Sequence, residues 1–132
     1  MSAGRAGLEQ VFTPERAERL HARGEALRQR LQDVSRGTLL KVTGYGSIFC
    51  FHFTRTDAAD VHSPDDLRDE DKTLGGAFHL FMLSKGFYIA RRGFVALSLA
   101  LDVNDFDHFV DAVGAFIDGY PSLIRPAQTA RL

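Results

Sequence analysis

Apolar and polar positions recur with two different periods along the chain, and each change of period marks a new element. From Pro14 onward Ala17, Leu20, Gly24, Leu27, Leu31 and Val34 return every three or four positions, with Arg and Glu between them. That spacing predicts an amphipathic helix with a narrow stripe, suited to lying across a larger surface. Thr13 offers a capping hydroxyl, Pro14 fits the first helical position, Glu15 sits at the positive end, and Gly37 is the stop. Residues 38–43 and 47–54 then read as strands joined by Gly44-Tyr45-Gly46. In the second strand Phe49, Phe51 and Phe53 face one way, while Ile48, Cys50 and His52 face the other. Both faces are largely apolar, so cover is expected on both.

The next stretch breaks the pattern. Residues 57–72 hold seven acids and two bases, no periodic apolar residue and one proline, which predicts a solvated connection. A helix follows over 75–85, with Leu74, Phe78, Phe81 and Met82 on one face and Gly86 as terminator. Residues 87–89 and 94–101 read as two strands around the turn Arg91-Arg92-Gly93, with Val95, Leu97, Leu99 and Leu101 sharing a face. Asn104 is the expected cap of a last helix whose stripe is Phe106, Phe109, Val110, Val113, Phe116, Ile117 and Tyr120, ended by Pro121. Residues 1–12 read as a flexible lead-in and 125–132 as a frayed tail around one domain over 13–124. The order α-β-β-α-β-β-α predicts an α+β two-layer sandwich, a short antiparallel sheet covered by helices.

Composition narrows the classes. A length of 132 residues suits one domain, and 45% hydrophobic with 25% charged residues is an ordinary globular balance. Sixteen basic against seventeen acidic side chains give a net charge of -1, which removes the simple electrostatic case for nucleic acid or a membrane surface. No apolar run approaches the ~20 residues of a membrane span, and the first ten residues lack a secretory core, so a cytoplasmic protein is expected. The single cysteine excludes a disulfide framework and a multi-cysteine zinc site. Eleven phenylalanines without a tryptophan suggest more apolar surface than one small core hides.

Candidate chemistry is sparse. Cys50 and His52 share a strand face, but two ligands do not make a metal site, and a thiol among Ile and Phe is a poor nucleophile. Asp65, Asp66, Asp69, Glu70 and Asp71 lack the spacing and central glycine of a calcium loop. None of Lys41, Lys72 and Lys85 has the desolvated setting that Schiff-base chemistry requires. Gly44-Tyr45-Gly46-Ser47 lacks the remaining glycines of a phosphate-binding fingerprint. Arg91-Arg92 is the constellation of most interest: two adjacent guanidinium groups at a turn can grip a carboxylate or phosphate.

Three strings in order, Thr43-Gly44-Tyr45-Gly46-Ser47-Ile48-Phe49, His52-Phe53-Thr54 and the run from Phe78-His79-Leu80-Phe81 through Gly86-Phe87-Tyr88-Ile89-Ala90, resemble the C-terminal small domain of class III aminotransferases. These are fold-type I enzymes that use pyridoxal phosphate, and glutamate-1-semialdehyde 2,1-aminomutase is the nearest subgroup in this resemblance. It runs from about residue 8 to 123, and Thr13-Pro14-Glu15 with Arg23-Gly24-Glu25-Ala26-Leu27-Arg28 looks like the helix entering that domain. The resemblance implies that the Schiff-base lysine and the cofactor-binding residues belong to a large domain that these residues do not include. It therefore implies no catalytic, cofactor-binding or metal-binding residue here, no activity from this chain alone, and a large pyridoxal-phosphate domain as partner. The substrate-binding candidates are Arg92, Arg91, Ser47 and Gly46, with Arg92 as a carboxylate ligand. Val95 stands where the aminomutases carry an active-site glutamate, which favours an aminotransferase acting on another amine or amino acid.

Two functions of different class follow: part of a pyridoxal-phosphate enzyme, or a free-standing, non-catalytic α+β module for binding or dimerisation. In the first, Phe49, Phe51 and Phe53 and the first-helix stripe are expected to face the large domain. Exposed in its absence, they are expected to drive homo-oligomer formation.

Overall fold

The computed structural model describes residues 2–55 and 61–125. Its first turns, a helix α1 (Ser2–Ala6) running into a π-helical turn over Gly7–Val11, bury no residue; this is the segment expected as a flexible lead-in. Thr13 then accepts a hydrogen bond from the Arg16 N–H and starts α2 (Pro14–Val34), which buries Leu20, Gly24, Leu27 and Leu31 as the periodicity requires. Strands β1 (Leu40–Tyr45) and β2 (Ile48–Phe53) form an antiparallel hairpin, with Val42 opposite Phe51. After a 3-10 turn at Pro64–Leu67 come α3 (Lys72–Ser84), β3 (Phe94–Ala96), α4 (Val103–Gly119) and α5 (Pro121–Ile124). The sheet order is β1-β2-β3, all antiparallel, and the architecture is the expected α+β sandwich.

The inner face of the sheet carries the core. Phe49, Phe51 and Phe53 are nearly solvent-free and meet Phe78 of α3 and Phe109 and Phe116 of α4. The rings of Phe51 and Phe78 lie 5.0 Å apart edge to face, as do those of Phe78 and Phe116. Each such side chain contributes about 1.5–3 kcal/mol by leaving water. The phenylalanine surplus is therefore used inside the chain's own core. This corrects the expectation that Phe49, Phe51 and Phe53 form a surface for a missing domain. Leu27 and Leu31 of α2 likewise belong to the core cluster and are not left open.

Several boundaries differ from the sequence reading. Asp71 accepts the Leu74 N–H and starts α3 at Lys72, three residues before the expected helix. Asp102, not Asn104, caps α4; its side chain takes the Asp105 N–H while Asp105 takes the Asp102 N–H. The expected strand at 87–89 is absent: this stretch runs along α3, where His79 Nδ1 lies 2.9 Å from the Ile89 carbonyl oxygen. β3 stops at Ala96 because β2 has no residues left to pair; Leu97 donates to Ser47 O at 2.8 Å, and Ser47 already belongs to the hairpin turn. The sheet thus has three strands, not four.

The outer edge of β1 is not bare, since the Gln32 amide of α2 donates to Val42 O at 3.0 Å. No helix among the described residues is long and apolar enough to cross a membrane. Residues 56–60 of the acidic connection and 126–132 of the expected tail lie outside the described residues.

Candidate functional site: an arginine turn over an apolar floor

Gly93 makes the turn that presents the two arginines. It has φ +85°, donates to Ala90 O at 2.8 Å and accepts from Phe51 N at 3.0 Å, and a side chain on it would strike the Phe51 carbonyl. The turn is thereby pressed onto β2, and Arg91 and Arg92 project from it into solvent. Both border a cavity of about 410 Å³ whose floor is Phe51, Phe53 and Phe78 and whose rim includes Glu70, Asp71 and Lys72. Arg91 also runs past α3 at Gly76.

Among the described residues no ion pair or hydrogen bond engages the side chains of Arg91, Arg92 or Lys72. Arg92 does lie over the Phe94 ring, 5.6 Å from its centroid. Three cations that no acid engages among the described residues can receive an anion.

Gly46 and Ser47 sit elsewhere. Ser47 is level with Leu97, just past the end of β3, while the arginine turn meets β2 at Phe51, four residues on from Ser47. At about 3.3 Å per residue that is roughly 13 Å, so the structure does not bring the four candidates into one site. The Gly46 N–H is held by the Glu25 carboxylate, which also pairs with Arg28. These bonds hold the Glu25 carboxyl below its ordinary value, the Arg28 contact first and the Gly46 amide second. Gly46, at φ +59°, lies under the His21 ring, and Gly24 of α2 packs so closely on the Gly46 carbonyl that a Cβ there would collide. The Gly-Tyr-Gly turn is thus fastened to α2.

The outer sheet face holds a network the sequence did not single out. His52 stands between Glu70 Oε1, 2.9 Å from its Nδ1, and Thr43 Oγ1, 3.0 Å from its Nε2. The register that places Thr43 beside Cys50 and Lys41 beside His52 brings the hydroxyl within reach, but Glu70 arrives through a bridge to Thr54 that no local spacing foretells. Cys50 is half-buried, and burial, then the Glu70 carboxylate, push its thiol up, which leaves it unreactive. No cluster among the described residues is arranged to ligate a metal.

These residues do not fit a pyridoxal-phosphate cradle. Lys85 is exposed, with its ammonium 5.3 Å from the Phe81 centroid, Lys72 is exposed at the start of α3, and Lys41 lies on the outer strand face. None is sequestered from water as an aldimine-forming lysine must be.

No protein-family model matches the chain. Its sequence relatives and structural neighbours are aminotransferases. Over 97% of its length the chain is 42% identical to the beta-phenylalanine transaminase of Variovorax paradoxus, and it covers 29% of that protein. The crystal structure of that enzyme matches with a TM-score of 0.88 over 96% of this chain, again 29% of the other. An uncharacterised aminotransferase of Schizosaccharomyces pombe is 37% identical over 95% of the chain, which covers 28% of it. A transaminase solved with pyridoxal phosphate bound shares the fold, with a TM-score of 0.71 at 20% identity over 92% of this chain and 27% of that one. The chain thus spans less than a third of the length of the aminotransferases it matches.

Proposed function

We propose that these residues form the C-terminal small domain, over residues 13–124, of a pyridoxal-phosphate-dependent aminotransferase. The cofactor and its lysine belong to a larger domain outside this sequence, and the chain by itself is not catalytic. Its part in the reaction is to bind and orient substrate: Arg92, with Arg91 beside it, holds a carboxylate at the mouth of the cavity, whose buried walls include Phe51, Phe53 and Phe78. The observation that carries this reading is the pair of unengaged arginines over an apolar cavity in a chain 42% identical to a beta-phenylalanine transaminase. A carboxylate substrate with an aryl or alkyl body, such as a β-amino acid, meets both features. Gly46 and Ser47 take part only through backbone placement of the hairpin turn. Transamination is preferred to aminomutase chemistry because Val95 packs toward the core and offers no carboxylate. The reading includes a cytoplasmic homo-oligomer; light scattering on the chain at tens of micromolar, where ~micromolar contacts register, tests the assembly.

The function is tested by replacing the matching segment of the Variovorax transaminase with this chain. The fusion is expected to transaminate a β-amino acid. Arg92→Ala in it should raise KM for carboxylate substrates by roughly 10- to 100-fold, the loss of a charge-assisted hydrogen bond, with a smaller effect on kcat. A fusion that takes up pyridoxal phosphate and does not transaminate overturns the proposal, and an unchanged KM removes Arg92 from it.

A further inference from the structure

Two segments meet the same edge of β2 end to end. The acidic connection reaches it where the Asp71 N–H donates to Phe53 O at 2.7 Å and Glu70 bridges to Thr54. The arginine turn reaches it where the Phe51 N–H donates to Gly93 O at 3.0 Å. Phe51 and Phe53 are about 7 Å apart along the strand. The Glu70 carboxylate and the two guanidinium groups therefore border one cavity, within reach of an ion pair. No ion pair joins them among the described residues. Glu70 turns instead to His52, whose Nδ1 lies 2.9 Å from its Oε1, and Arg92 lies over the Phe94 ring. The Cys50 thiol feels both charges: after burial, the main cause, Glu70 pushes it up and Arg92 pulls it down.

We infer that His52 is a positioning residue for substrate binding: by holding Glu70 it keeps that carboxylate off Arg92 and leaves the guanidinium open to the carboxylate of the substrate. This rests on the function proposed above. The His52 side chain is only 13% exposed, and it is fixed at both nitrogens, with Thr43 Oγ1 3.0 Å from Nε2. A carboxylate only accepts, so the Nδ1 that faces Glu70 carries the proton. The Thr43 hydroxyl can donate to a neutral Nε2 or accept from a protonated one, so the ring keeps its orientation in either state. Without that donor Glu70 is a carboxylate tethered beside the arginine turn. It then competes with the substrate for the same guanidinium at high effective concentration.

The test compares His52→Leu, which removes the donor, with the similarly shaped His52→Asn, whose amide keeps one near the Nδ1 position. In the Variovorax fusion, His52→Leu should raise KM for a β-amino acid roughly three- to fivefold, the range in which an exposed ion pair competes. Its kcat should hold, as should its KM for an arylalkylamine that has no carboxylate. His52→Asn should stay near the parent KM. Adding Glu70→Gln to His52→Leu should restore the parent KM, which repair of a merely loosened fold would not do. In the 132-residue chain alone, a crystal structure of His52→Leu should show the Glu70 carboxylate on Arg92. A KM that does not rise, rises equally for the amine, or is not restored by Glu70→Gln overturns the role of His52 and leaves the function standing. So does a Glu70 that turns to Lys72 or to solvent in the variant chain. A parent fusion that holds pyridoxal phosphate and does not transaminate overturns the function, and the role of His52 with it.

Discussion

The two turns that flank β2 are both built on glycine at positive φ, yet their polar groups end differently. At the hairpin turn, Gly46 gives its N–H to Glu25, lies under His21 and takes Gly24 of α2 against its carbonyl. At the arginine turn the backbone is just as firmly pressed onto β2 through Gly93, but among the described residues no carboxylate pairs with the Arg91 and Arg92 side chains. Both strings stand out in the sequence as possible ligand grips. The structure separates them by how their polar groups are used: one turn uses its donors to hold the fold together, and the other holds its backbone in place while its two guanidinium groups stay exposed.

That contrast can be broken at either turn. The largest effects belong to the glycines. Gly24→Ala sets a methyl against the Gly46 carbonyl and the Ser47 backbone, which cannot rotate away, and should cost about 2–4 kcal/mol of folding stability. Gly93→Ala combines a positive φ with collision against the Phe51 carbonyl and should cost about 2–3 kcal/mol. Urea denaturation measures both, and a near-neutral result at either would show that its turn is not pinned.

An intermediate effect is expected at Glu25. Its carboxyl is held below the ordinary value in the folded chain, so its contribution is present above the unfolded pKa of about 4.3 and fades as pH falls through the lower folded value. Glu25→Gln should therefore destabilise at pH 7, and the gap from the parent chain should narrow as the pH falls to about 3. A gap independent of pH would mean that packing, and not charge, makes the Glu25 clamp. The smallest effect sharpens the contrast most. Arg91→Ala and Arg92→Ala should change stability by no more than about 0.5 kcal/mol, because neither guanidinium is engaged with an acid. A larger loss from either would show that its charge serves the fold.

Much of the architecture was legible because it depends on period alone. The stripe Leu20, Gly24, Leu27, Leu31 is the buried stripe of α2, and the alternation of Phe49, Phe51 and Phe53 is the buried alternation of β2. What period cannot decide is whether an extended segment finds a neighbour. Residues 94–101 alternate as a strand does, yet only Phe94–Ala96 pair, because β2 gives out at Ile48. Residues 87–89 look equally strand-like and lie on α3 instead. The same limit explains the misassigned phenylalanines: alternation showed that Phe49, Phe51 and Phe53 share a face, but only the placement of α3 and α4 shows that the face is already filled. Arg91 and Arg92 were legible as a charged turn. Their apolar floor was not, since Phe51, Phe53 and Phe78 come from two distant elements, and neither was the Thr43–His52–Glu70 network, which depends on the return of the chain to Thr54.

The amide that Gln32 lends to the Val42 carbonyl has a consequence for how the protein meets its neighbours. An open three-stranded sheet invites further strands to add along its rims and so to grow into fibres. Here one rim has a carbonyl already occupied, and the other belongs to a strand of only three residues, too short to template a ladder. Growth by strand addition along either rim is thereby disfavoured.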